Sequence, residues 1–71
     1  MEINNIWIIV DLNLEILAVA TSEKCCCRRL KNIQPLDCFV QVFKWNGFGF
    51  GFLRQIRDPQ ITADNRIVAR K

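Results

Sequence analysis

Seventy-one residues, 51% hydrophobic and 24% charged, make one folded domain, because that much apolar surface collapses and excludes a disordered tail. So short a chain buries only about 60% of the surface its unfolded form exposes, a thin margin that a partner or a second copy would widen. A net charge of +3 tolerates an acidic partner without demanding one, and it is low for a dedicated nucleic-acid domain.

The longest apolar run, residues 6 to 20, is interrupted by Asp11, Asn13 and Glu15. It falls short of the ~20 residues that cross a bilayer. No positive segment precedes it, so neither a membrane span nor a signal peptide is expected. The cysteines are accordingly expected to stay reduced, in a cytoplasm. "NIWIIVDLNLEILAVATS" reads as two strands joined at Asp11-Leu12-Asn13-Leu14, with β-branched residues in the arms and Asp and Asn supplying the turn. Ile6, Ile8 and Val10 take one face of the first strand, Trp7 and Ile9 the other, which is the pattern of a strand in the middle of a sheet. A rival helix over residues 14 to 32 uses the good helix formers Glu, Leu and Ala, but Thr21-Ser22 has the chemistry of a helix start.

"TSEKCCCRRLKNI" follows as a helix. Thr21 or Ser22 can cap it, and Glu23 suits the positive end of the dipole. Cys26, Leu30 and Ile33 form its apolar stripe, with Lys24, Arg28 and Lys31 opposite. Gln34-Pro35 is expected to stop it.

"CFVQVFKW" and "FGFGFLRQI" then flank Asn46-Gly47, a strong hairpin signal. A two-residue turn would pair Trp45 with Phe48, Phe43 with Phe50 and Gln41 with Phe52, making one aromatic face. The other face, with Val40, Val42 and Lys44 opposite Leu53, Gly51 and Gly49, is small and mixed. After Asp58-Pro59, "ITADNRIVAR" suggests a short strand or hairpin turning at Asp64-Asn65. The expected fold is α+β: a small antiparallel sheet with one helix packed across it, ββαββ with a short final element.

The aromatic face has two readings. Five of the seven aromatics line it (Phe43, Trp45, Phe48, Phe50, Phe52), and each brings 150–250 Å² of buriable surface, so the preferred reading is core beneath the helix. The alternative is a platform that stacks bases on Trp7, Trp45, Phe48 and Phe50. Trp45 and Phe48, nearest the turn, are the aromatics expected to escape the core and anchor a partner. Lys44-Trp45-Asn46-Gly47-Phe48-Gly49-Phe50 resembles a compressed form of the cold-shock motif. Ile6-Trp7-Ile8 with Asn46-Gly47-Phe48-Gly49-Phe50 resembles the two aromatic motifs of RNA-recognition domains. Either resemblance implies single-stranded nucleic acid as ligand.

Cys25, Cys26 and Cys27 are consecutive on a helix and point some 100° apart, so they cannot converge on one ion, and no second cysteine pair exists. Cys26 and Cys27 are read as small buried hydrophobes beside Cys38, with Cys25 near the surface. No metal or cofactor is expected. Neither is catalysis: histidine and tyrosine are absent, no phosphate loop is present, and the carboxylates sit at expected turns and ends.

The stretch "IWIIVDLNLEILAVATSEKCCCRRL" resembles the opening of many tiny proteins of phages and mobile elements, anti-CRISPR proteins among them. The resemblance implies a binding module without catalysis, and some such proteins work by occupying a surface on a host defence complex. A protein partner is therefore the first expectation, met by Lys24, Arg28, Arg29 and Lys31 on the helix and by Lys44, Trp45 and Phe48 at the hairpin. Nucleic acid is the second. Self-association as a homodimer is the third.

Overall fold

The computed structural model describes residues 4–33 and 37–69. Asp11 organises the first hairpin. Its Oδ1 accepts from the backbone N–H groups of Asn13 (2.8 Å) and Glu15 (2.9 Å), and Leu14 completes the turn at a φ of 66°. Satisfying two backbone donors locally is what an Asp at a turn offers. The hairpin joins β1 (Asn5–Asp11) to β2 (Ile16–Ala20), so residues 16 to 20 are strand, not helix. The helix α1 (Glu23–Ile33) starts where Ser22 Oγ accepts from Cys25 N–H at 3.2 Å. The stop expected at Gln34-Pro35 lies outside the described residues.

The second half supplies β3 (Cys38–Trp45), β4 (Phe50–Arg57), β5 (Pro59–Ile61) and β6 (Ile67–Ala69). The main sheet is antiparallel in the order β2-β1-β3-β4, with the doubly apolar β1 inside it. The expected α+β fold is therefore present, and its final element is a β5–β6 hairpin. Thr62 closes that hairpin: its Oγ1 accepts from Arg66 N–H at 3.0 Å and donates to the Asp64 carboxylate, while Asn65 turns the chain at a φ of 60°. No helix among the described residues is long and apolar enough to cross a membrane.

One face of the sheet holds the core. Trp7, Ile9, Ala20, Cys38, Val40, Val42 and Ile56 meet Cys26, Cys27 and Leu30 of α1 and Ile67 of β6, all nearly or fully buried. The β5–β6 hairpin lies on this same side. Ile67 N–H donates to Glu23 Oε2 at 2.9 Å, and the Cys27 thiol donates to the Asn65 carbonyl at 3.3 Å. Arg54 also belongs to this face, its guanidinium 5.7 Å from the Trp7 ring centroid, where a cation meets the negative ring face.

Candidate protein-interaction surface

The hairpin between β3 and β4 departs from the expected register. Trp45 pairs with Phe50, Phe43 with Phe52 and Gln41 with Gln55, each further along β4 than a two-residue turn allows. Residues 46 to 49 form a longer loop. Asn46 N–H donates to Gly49 O (3.0 Å), and Asn46 Oδ1 accepts from Phe48 N–H (2.9 Å) and Gly49 N–H (3.1 Å). A two-residue type I′ turn needs positive φ at both central residues; here Gly47 adopts it, at 100°, and Asn46 does not. The Asn46 side chain is used to cap the loop instead.

Both edge strands carry one extra residue. Ile9 pairs with Ala18 but Val10 with Ile16, leaving Leu17 unmatched. Val42 pairs with Arg54 but Phe43 with Phe52, leaving Leu53 unmatched. Each bulge reverses the alternation of side chains beyond it. Ile16, Phe50 and Phe52 are thereby turned away from the helix and onto the opposite face.

That opposite face is where the aromatic ladder lies, and no described element covers it. This corrects the expectation that the ladder is core under the helix: α1 covers the small, mixed face, where Cys26, Cys27 and Leu30 fit against Val40 and Val42. The rings pack on each other instead. Phe43 and Phe52 meet edge to face with centroids 5.7 Å apart, and Trp45 and Phe50 meet at 5.2 Å. Even so, Phe52 remains 60% exposed, Trp45 43% and Phe50 41%. Of the seven aromatics only Trp7 is buried. On β1 and β3 the face continues through the half-buried Ile6, Ile8, Phe39 and Phe43 and the buried Val10, and on β2 through the exposed Val19 and Ile16. Its polar members on β3 and β4 are Gln41, Gln55 and Arg57, the two amides hydrogen-bonded to each other at 3.1 Å.

The sequence-derived contact residues do not form one surface. Lys24, Arg28, Arg29 and Lys31 are exposed on α1, and three of them, Lys24, Arg28 and Lys31, border a shallow hollow with Cys27 and Asn65. Trp45 belongs to the opposite face of the sheet. Lys44, its neighbour along β3, alternates to the helix side, and Phe48 stands at the loop tip, 98% exposed. Six members of this face, Ile16, Val19, Phe39, Phe43, Phe50 and Phe52, were not among the expected protein-contact residues, although Phe50 stood in the base-stacking alternative. The signal for a second open face was present in β1, apolar on both sides, with one helix among the described residues to cover one of them.

The cysteines stand where the sequence put them, Cys26, Cys27 and Cys38 buried and Cys25 exposed, all as free thiols. Burial pushes the Cys26 thiol up to about 12, and Cys27, Glu23 and Cys38 nearby add to the rise. Burial also raises Cys27 and Cys38, which favours the protonated thiol over the reactive thiolate at all three. Among the described residues no group of His, Cys, Asp or Glu side chains gathers as a metal site would need.

Comparison with known proteins finds no matching family, no similar curated protein and no similar solved structure.

Proposed function

We propose that this chain is a non-catalytic module that works by protein–protein contact, with the uncovered sheet face as its main contact surface. The observation that carries the reading is the composition of that face. Aliphatic and aromatic side chains from all four strands fill it, and Arg57 is its one charge among the described residues. Contiguous apolar surface of this kind marks interaction sites, because water is a poor solvent for it. The basic side of α1 offers a second surface, suited to an acidic protein groove. The layout resemblance to small phage and mobile-element proteins makes a host defence complex the first external partner to try.

Exposure of Trp45, Phe48, Phe50 and Phe52 also meets the requirement of a single-strand binder that stacks bases. Charge speaks against it: a backbone-tracking groove needs several cations beside the rings, whereas Lys44 and Arg54 lie on the helix side of the sheet and Arg57 is the one cation on the face among the described residues. The two readings part in a capture from lysate, divided into nuclease-treated and untreated halves. Protein recovered equally from both halves by the wild type, and lost on reversing Lys24, Arg28 and Lys31 to Glu or on changing Phe50 and Phe52 to Ser, supports protein contact. Recovery of nucleic acid, with proteins lost on nuclease treatment, refutes it.

A further inference from the structure

The uncovered face has the properties of half an interface. Trp45, Phe50 and Phe52 are 43%, 41% and 60% exposed, and Ile16 and Val19 are 64% and 46% exposed. Those five side chains alone leave about 500 Å² of apolar surface in water, given 150–250 Å² for each aromatic. Two such faces brought together would remove on the order of 1,000 Å², the area at which specific association begins, before the half-buried members of the face are counted.

We propose that the occupant of this face is a second copy of this chain, the two sheets packing face to face as a homodimer. The proposal rests on the reading of the face as a protein contact and names what fills it. Charge bears on which faces pair, Arg57 at the end of the edge strand β4 being the open face's one cation among the described residues. The chain carries +3, yet four of its cations, Lys24, Arg28, Arg29 and Lys31, lie on α1, on the far side of the sheet. Copies meeting through the open face keep those groups apart, whereas pairing through the helices would oppose them. Geometry favours it too, because a twisted sheet apolar on one side is complementary to its own copy at a spacing of about 10 Å with strands some 30° from aligned.

The one hydrogen-bonded polar pair in the face also suits a two-fold. Gln41 Nε2 donates to Gln55 Oε1, so the pair retains the Gln41 carbonyl as acceptor and the Gln55 amide as donor. A copy presents the same two groups, so donors and acceptors match in number across the interface. A slipped register would bury them against hydrocarbon, which is how a polar pair within an apolar contact fixes one alignment. In the dimer each helix faces outward, and the assembly displays its basic surface twice, to opposite sides, available to an acidic partner with the gain that two linked sites bring.

Sedimentation of the purified full chain from low to high micromolar concentration tests the proposal. The wild type is expected to approach twice the chain mass as concentration rises. The double variant Phe50→Ser, Phe52→Ser is expected to stay monomeric, its apparent dissociation constant at least about 100-fold weaker, in preparations whose circular dichroism shows the fold retained. Arg28→Glu, on the outer face, is expected to dimerise as the wild type does. Should the double variant fail to fold, Ile16→Lys introduces a charge at an exposed position of the same face and is expected to give a folded monomer. A wild type that is monomeric throughout, or a dimer that survives these changes, overturns the second copy as occupant. The broader reading of protein contact falls separately, by the recovery of nucleic acid in the nuclease-divided capture.

Discussion

Deleting Leu53 tests whether the β4 bulge is what turns Phe50 and Phe52 onto the open face. Leu53 is the unmatched residue between the pairs Val42–Arg54 and Phe43–Phe52. Its removal should let the ladder run without interruption, with every paired side chain keeping its face. The side chain is already 53% exposed, so the loss is about 1 kcal/mol, half the value for a fully buried leucine. If Leu53 were instead an ordinary ladder residue, the same deletion would flip Phe50 and Phe52 to the other face. Together they now bury about 200 Å², so flipping them would cost about 5 kcal/mol at 25 cal/mol per Å². A chain of this size has roughly 4–11 kcal/mol in total. Urea unfolding followed by circular dichroism separates the cases at a low protein concentration that keeps association constant. A midpoint close to that of the wild type supports the bulge, and a largely unfolded deletion variant refutes it.

Other consequences follow from the same packing. Leu30→Ala, at a fully buried position under the sheet, is expected to lose 2–5 kcal/mol, roughly half the available stability, in the same urea assay. Cys26 has its thiol held at about 12 against an ordinary 9.0. Because the folded value is the higher, its contribution is intact below pH 9 and is lost as pH rises from 9 toward 12, where only the unfolded chain releases the proton. Stability measured across that window should therefore fall more steeply in the wild type than in Cys26→Ala, and parallel curves would contradict the burial of this thiol. Tryptophan emission should resolve into a blue-shifted component from Trp7, 6% exposed, and a quenchable one from Trp45, 43% exposed. Under conditions that keep the chain monomeric, Trp45→Phe is expected to remove the acrylamide-sensitive part.

Local chemistry made the first hairpin, the helix and the final hairpin legible. Asp11, Ser22 and Thr62 each satisfy nearby backbone donors, and such bonds depend only on neighbours in the chain. The thiols were readable because consecutive helix positions diverge, which puts Cys26 and Cys27 inward and Cys25 outward. The site was harder. An Asn-Gly dipeptide signals a hairpin but leaves its loop length open, and Asn46 used its side chain in a way that moved the register. Bulges at Leu17 and Leu53 leave little trace in composition, yet each reverses the facing of what lies beyond it. The helix then chose the smaller face, since Cys26, Cys27 and Leu30 fill the shallow space over Val40 and Val42 while the ring pairs pack against themselves.

Which face makes contact can be read directly by photo-crosslinking. p-Benzoylphenylalanine would replace Phe52 on the open face in one preparation and Arg28 on the helix in another. On illumination of the purified chain, position 52 is expected to yield a covalent product of twice the chain mass while position 28 yields none. Crosslinked dimer from position 28 with position 52 inert would contradict the account, because the contact would then lie on the helix and the aromatic face would be idle.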